Sequence, residues 1–261
     1  MKNLPLLIDF DGVINLGNKP APDAAEFFKF IKNKNIPAFV ISNSTLKTSD
    51  DIKEFFAKNN IKFDIPAMTA SEATLKYISD NYKRVKVYCT EKIKKLFTEF
   101  IVDTNPEAVV VGDLVDEWSY GILNEIFREV YDGADLIAMQ KNKFWKPDGK
   151  TLCLDAGSFI TAIEYATNKE ALLIGKPSPI YFKTALKMLG DENSPFLMIG
   201  DDIEADIIAS QQIGGKGILV YTGKTKFPLP ENYPYKPDYE AKNLTDVKKI
   251  LDELYNKSLT Y

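Results

Sequence analysis

The sequence predicts an α/β chain: a doubly wound parallel sheet with a smaller α/β unit inserted into it. Three observations predict this. Short apolar runs at residues 4–8, 38–41, 171–174, 196–199 and 217–220 alternate with stretches of helical periodicity. The first four runs each end in chemistry-bearing residues: Asp9 and Asp11, Ser42 and Asn43, Lys176, and Asp201 with Asp202 and Asp206. Between residues 82 and 171 the alternation repeats on its own shorter runs, with no internal repeat of the outer pattern.

In order along the chain, the run before Asp9 is bounded by Gly12 and reads as a buried parallel strand. Residues 15–22 form a polar turn with one proline inside it and one at its end. Asp23 suits a helix N-cap, and Ala24, Phe27, Phe28 and Ile31 recur at helical spacing. Pro37 opens the second run. Ser49 or Asp50 can cap the helix carrying Ile52, Phe55 and Phe56, and Ser71 with Thr74 starts another. In the insertion, residues 85–88 alternate like a strand and 108–111 read as a buried one. Ile93, Leu96, Phe97 and Phe100 form a helical face, as do Tyr120, Leu123, Ile126 and Phe127. Residues 136–138 and 152–154 are short strands, and 147–149 a Pro-Asp-Gly turn between the second of these and the chain before it. A helix follows Gly157. The outer pattern resumes with strand 171–174, helix 179–189, strand 196–199, a helix ending at Gly214-Gly215, strand 217–220 and a closing helix from Leu244. Residues 227–239, rich in proline and tyrosine, read as surface loop.

The composition narrows the function. The 261 residues carry a formal net charge of −4, which argues against a general nucleic-acid binder with its basic face. The basic residues Lys83, Arg84, Lys86, Lys92, Lys94 and Lys95 read as a solvated helix face. No apolar stretch is long enough to span a bilayer, and the N-terminal run is short and broken by Asp9, so no membrane partner is expected. Cys89 and Cys153 form no disulfide framework, which suggests a reducing, cytoplasmic setting. The chain has no histidine, which removes Ser-His-Asp and Cys-His catalysis and histidine-rich zinc sites. Acid–base work near neutral pH then falls to carboxylates, lysines or tyrosines.

If the outer strands are parallel, their polar ends gather along one edge of the sheet, where open α/β folds bind ligands. Asp9 can attack a phosphoryl group to form an aspartyl phosphate, and Asp11 can protonate the leaving oxygen and then activate water. Asp9 and Asp201 can hold Mg²⁺, a hard cation for oxygen ligands. Ser42 and Lys176 can donate to the non-bridging phosphate oxygens. Taken singly, each group has a plainer reading as a turn or an N-cap.

Together, DFDGV at Asp9, ISNS at Ser42, GKPSPIYF at Lys176 and GDDIEAD at Asp201 resemble, in order, the four motifs of the haloacid dehalogenase-like phosphatases. The resemblance implies a Rossmann-like catalytic core at residues 1–81 and 172–261, with an inserted α/β C2 cap at 82–171 that sets specificity. It implies Mg²⁺ held by Asp9, the backbone carbonyl of Asp11, and Asp201, with Asp202 and Asp206 behind them. Phe10, Gly12 and Asn43 join Ser42 and Lys176 as phosphate-binding positions, and Asn142, Lys143, Trp145 and Gly157 are candidates for substrate contact. An acid at Asp11 favours phosphatases and phosphomutases over dehalogenases. The chain is similar to the subclass of nitrophenyl phosphatases, NagD-like proteins and phospholysine/phosphohistidine/pyrophosphate phosphatases. That implies a small phosphorylated substrate and suggests a homodimer. Many relatives carry an arginine where Thr45-Leu46-Lys47 stands.

Two rivals stay open. One is a non-catalytic phosphate-binding or signalling domain, although receiver domains of that kind are about half this length and lack a cap. The other is a phosphotransferase, which a water-excluding cap would favour. Gly223-Lys224-Thr225 ends like a phosphate-binding P-loop, but the upstream glycine would fall at Ile218, inside an expected strand.

Overall fold

The structure is a computed structural model and describes residues 4–146, 151–190 and 192–257; the turn expected at 147–149 lies outside the described residues. The chain forms two compact units. The first comprises residues up to 42, 49–68 and 179 onward; the second comprises 43–48 and 69–178.

In the first unit β1 (Leu6–Asp9) is followed by a small hairpin, β2 (Asn15–Leu16) and β3 (Lys19–Pro20), then α1 (Ala24–Asn33), β4 (Ala38–Ser42), α2 (Ser49–Lys58) and β5 (Ala67–Thr69). The second unit holds α3 (Ala70–Asn81), β6 (Val85–Tyr88), α4 (Glu91–Lys94), β7 (Ala108–Val111), α5 (Tyr120–Tyr131), β8 (Asp135–Ala138), β9 (Phe144–Trp145), β10 (Cys153–Leu154), α6 (Ala156–Thr167) and β11 (Leu172–Leu173). The chain then returns to the first unit with α7 (Pro179–Met188), β12 (Leu197–Gly200), a π-helical turn (Ile203–Ile208) leading into α8 (Ala209–Gln212), β13 (Lys216–Val220), β14 (Tyr239–Ala241) and α9 (Leu244–Lys257).

The first unit's sheet has six strands in the order β14-β13-β12-β1-β4-β5. β1 pairs in parallel with β12 on one side and β4 on the other, aligning Leu6 with both Leu197 and Ala38. Every residue of β1 and of β4 is buried, which is why both read as continuous apolar runs. Phenylalanines fill the core under this sheet: Phe56 stacks on Phe63 at 4.2 Å and meets the Phe28 ring edge-on at 5.2 Å. Asp23 stands before α1 but makes no side-chain cap there. Its φ and ψ of −101° and 7° are not the extended values that aim a carboxylate at the first-turn amides. The carboxylate instead accepts from the Thr245 N–H and hydroxyl, at 2.7 and 2.9 Å, in the first turn of α9.

The second unit has a four-stranded parallel sheet, β11-β8-β7-β6, and a two-stranded antiparallel hairpin of β9 and β10. Val109, Val111, Ile126, Val130, Ile160 and Ile163 form its core. One expectation needs correcting. The sequence pattern places the run at 171–174 in the outer sheet, but β11 pairs with Ile137 and Ala138 of β8. An apolar run reports burial and does not report which sheet buries it. The basic cluster at 83–95 is also not one helix face. Lys86 lies in β6, half-buried and paired with Glu129, while Lys83 and Arg84 donate their amides to Glu107 at 2.8 and 2.9 Å. The start of α3 is a capping box of Thr69 and Glu72, two residues before the expected start.

Among the described residues, no helix is long and apolar enough to cross a membrane. Cys89 is buried, and burial pushes its thiol up to about 12, which fits a packed residue.

Candidate active site

β1 ends at Asp9 and β4 at Ser42, and Asp201 follows the last residue of β12. These strands are adjacent and parallel, so their carboxyl ends open on one edge of the first unit's sheet. Two connections diverge there: the chain passes from β1 to β4 on one side and from β12 to β13 on the other, the crevice where doubly wound sheets place ligands.

Asp9, Asp201 and Asp206 are all buried, and each offers a carboxylate oxygen within 4.8 Å of the others. Three like charges this close in a buried site repel one another, and a hard divalent cation relieves that repulsion. The donor set, carboxylate oxygens only, fits such an ion. Asp206, expected behind the other two acids, offers an oxygen to the same cluster. It arrives there because the chain after Asp202 winds as a π-helical turn, and its Oδ2 also accepts from the Asp202 N–H at 3.2 Å.

Asp11 lies beside this cluster in sequence and is held by two donors. Ser42 Oγ donates to its Oδ2 at 3.0 Å and Asn15 Nδ2 to its Oδ1 at 2.7 Å. The Gly12 N–H donates to the Asn15 carbonyl at 2.9 Å, closing the turn after β1. Phe10 takes no side-chain part: its ring is in the core, edge-on to Phe55 at 5.2 Å. Its N–H donates to Asp9 Oδ1 at 2.8 Å and to the Ile41 carbonyl at 2.9 Å. Asp202 caps the π-helical turn, accepting from the Glu204 and Ala205 amides at 3.0 and 3.1 Å, and pairs with Lys224 at 2.9 Å.

Burial pushes the Asp202 carboxyl up, but the Lys224 ammonium and the two amides outweigh it and hold it below the usual range. A depressed carboxylate contributes stability above its unfolded pKa and loses it as pH falls through the folded value. Asp202→Asn, which keeps the cap oxygen and removes the charge, is expected to be less stable than wild type at pH 7. The two should converge in urea melts as pH drops below the ordinary carboxylate range.

Ser42 has an anchor that the sequence reading missed. Tyr181, fully buried in α7, accepts from the Ser42 N–H at 3.1 Å, and its hydroxyl lies in donating reach of the Ser42 and Met68 carbonyls at 2.6 and 2.9 Å. The phenol sits in the GKPSPIYF motif, so a tyrosine inside an apolar helix face was the available signal. Tyr181→Phe is expected to cost about 1–3 kcal/mol, read as a lower urea midpoint, because three backbone groups lose a shared partner.

The other expected residues lie in the second unit. Asn43 and Lys176 are joined reciprocally: the Lys176 N–H donates to Asn43 Oδ1 at 2.8 Å and Asn43 Nδ2 to the Lys176 carbonyl at 3.2 Å. Asn142, Lys143 and Gly157 come together at the start of α6. The Gly157 N–H donates to the Asn142 carbonyl at 3.1 Å, and Ser158 Oγ to the Lys143 carbonyl at 2.6 Å. Asp155 caps α6 and is bridged to Asn142 through Gln140, which donates to it at 2.5 Å. Burial pushes the Asp155 carboxyl up against these donors. Trp145 is half-buried in β9, paired with Cys153.

The fold and this edge define a doubly wound α/β protein with a buried carboxylate cluster at the ends of its central strands. Residues 6–102 match the family described as haloacid dehalogenase-like hydrolase, and 173–247 match the one described as HAD-hydrolase-like. Haloacid dehalogenase-like hydrolase domain-containing protein 2 of Bos taurus is 32% identical over 254 residues, spanning 92% of this chain and 96% of that protein. The phospholysine phosphohistidine inorganic pyrophosphate phosphatase of Rattus norvegicus is 28% identical, over 94% of this chain and 93% of its own length. Among solved structures, 4-nitrophenylphosphatase from Thermotoga maritima superposes with a TM-score of 0.85 at 26% identity, covering 95% of this chain and 97% of that one. The chain belongs to the haloacid dehalogenase-like hydrolase family.

Proposed function

We propose that this protein is a Mg²⁺-dependent phosphatase of small phosphorylated molecules, working through a phosphorylated Asp9. The observation that carries the reading is the buried cluster of Asp9, Asp201 and Asp206, on the sheet edge that also holds Asp11 between Ser42 and Asn15. Relatives named as phosphatases support it. Asp9, Asp201 and Asp206, with the Asp11 backbone carbonyl, would hold Mg²⁺, which supplies charge neutralisation at the phosphate oxygens.

The remaining chemistry belongs to the chain. An Asp9 carboxylate oxygen attacks phosphorus as the bond from phosphorus to the leaving oxygen breaks, and the Asp11 carboxylic acid gives that oxygen its proton. Asp11, now ionised, takes a proton from water as the water oxygen attacks the same phosphorus, releasing phosphate and restoring Asp9. Ser42 Oγ and Asn15 Nδ2 keep the Asp11 carboxyl in one orientation through both steps. The match to the GKPSPIYF motif makes the Lys176 ammonium our candidate for phosphate binding, its backbone being held by Asn43, and Asn142, Lys143, Trp145 and Gly157 are our candidates for substrate selection.

The test is phosphate release from an aryl phosphate by the full chain, with Mg²⁺ and with excess chelator. Release that needs Mg²⁺ supports the reading. Inertness toward the aryl ester and a broad panel of phosphate esters overturns it in favour of a binding domain, and a phosphorylated acceptor in place of free phosphate overturns it in favour of a transferase.

A further inference from the structure

We propose that the turn after β13, residues 221–226, is a brace that sets the metal affinity of the acid cluster, with Thr222 and Gly223 as its positioning residues. This rests on the metal reading given above. The turn is tied to both loops that carry the acids. Toward β1, Thr222 Oγ1 donates to the Gly12 carbonyl at 2.5 Å. Toward β12, the Lys224 N–H donates to Asp201 Oδ2 at 2.6 Å and the Thr225 N–H to the Asp201 carbonyl at 3.0 Å. Thr225 Oγ1 accepts from the Ile203 N–H at 3.0 Å, and Lys224 Nζ pairs with Asp202.

The Asp201 carboxylate also lies against bare backbone. A Cβ on Gly223 would fall 1.8 Å from Asp201 Oδ2, and one on Gly12 would fall 2.4 Å from the same atom. The carboxylate is thus confined between two glycines while an amide fixes one of its oxygens. A carboxylate held this way loses little freedom when it binds an ion, and partners behind metal ligands are typically worth about 10–100-fold in metal affinity. The Gly-Lys-Thr run that imitates a P-loop has its physical reason here: the glycine admits the Asp201 carboxylate, and the following amide holds it.

The test is Mn²⁺ binding to the full chain, with free Mn²⁺ read by electron paramagnetic resonance, for wild type, Gly223→Ala, Thr222→Val and Thr222→Ser. The expected result is about 10–100-fold weaker binding in Gly223→Ala and about tenfold in Thr222→Val, with Thr222→Ser close to wild type. Circular dichroism and metal-free Tm of Thr222→Val should stay near wild type, which separates positioning from loss of fold. If Gly223→Ala fails to fold, the two Thr222 variants decide. Mn²⁺ binding in Gly223→Ala and Thr222→Val within about twofold of wild type overturns the brace and leaves the metal reading standing. Absence of Mn²⁺ binding by the wild type overturns both.

Discussion

Phosphate release is expected to fall by at least about a thousandfold in Asp9→Asn, with the fold intact. The carboxamide occupies nearly the volume of the carboxylate, so the fully buried β1 and its pairing with β4 and β12 have no reason to change. The nucleophile is lost, because an amide oxygen does not displace an ester oxygen from phosphorus at a useful rate. A folded variant that retains wild-type turnover would mean that the nucleophile lies elsewhere. Single-turnover trapping should give an acid-stable, hydroxylamine-labile phosphoprotein in wild type and none in Asp9→Asn.

The second large effect is on stability. In wild type, Mg²⁺ at about one hundred times its dissociation constant should add about 2.7 kcal/mol, since an ion that binds only the folded state shifts unfolding by mass action. For a chain of this size that is an increase in Tm of about 5–10 °C, reversed by chelator. In Asp206→Asn most of the Mg²⁺-dependent gain in Tm should disappear. Calorimetric scans with and without Mg²⁺ check this. A full gain in Asp206→Asn would return that residue to the supporting role the sequence suggested.

Much of the core and the polar residues at its strand ends was legible because buried parallel strands are apolar on both faces and stop abruptly. Asp9, Ser42 and Asp201 could be placed at strand ends from those stops alone. The hairpin of β2 and β3, and β5 and β14, were not legible, since two or three residues show no periodicity to read. Residue type makes Asp23 a cap candidate, but capping depends on a backbone conformation that residue type does not report. The start of α3 is legible at Thr69 and Glu72, which stand at capping-box spacing two residues before the start that Ser71 and Thr74 suggest. The π-helical turn that delivers Asp206 to the cluster, and the long-range anchor from Tyr181 to Ser42, depend on contacts between segments far apart in sequence.

The division of the chain bears on how the second unit could be moved between proteins. The backbone passes between the units at residues 42/43, 48/49, 68/69 and 178/179, and the Asn43–Lys176 pair lies beside the first and last of these passages. A contiguous cassette cut at 82–171 would leave behind α3, the β11 edge strand of the unit's own sheet and both members of that pair. A graft of the second unit between relatives therefore has to carry two pieces, 43–48 and 69–178, as a single contiguous swap cannot. Substitutions in the short piece should accordingly be inherited with the second unit rather than with the strand that precedes them.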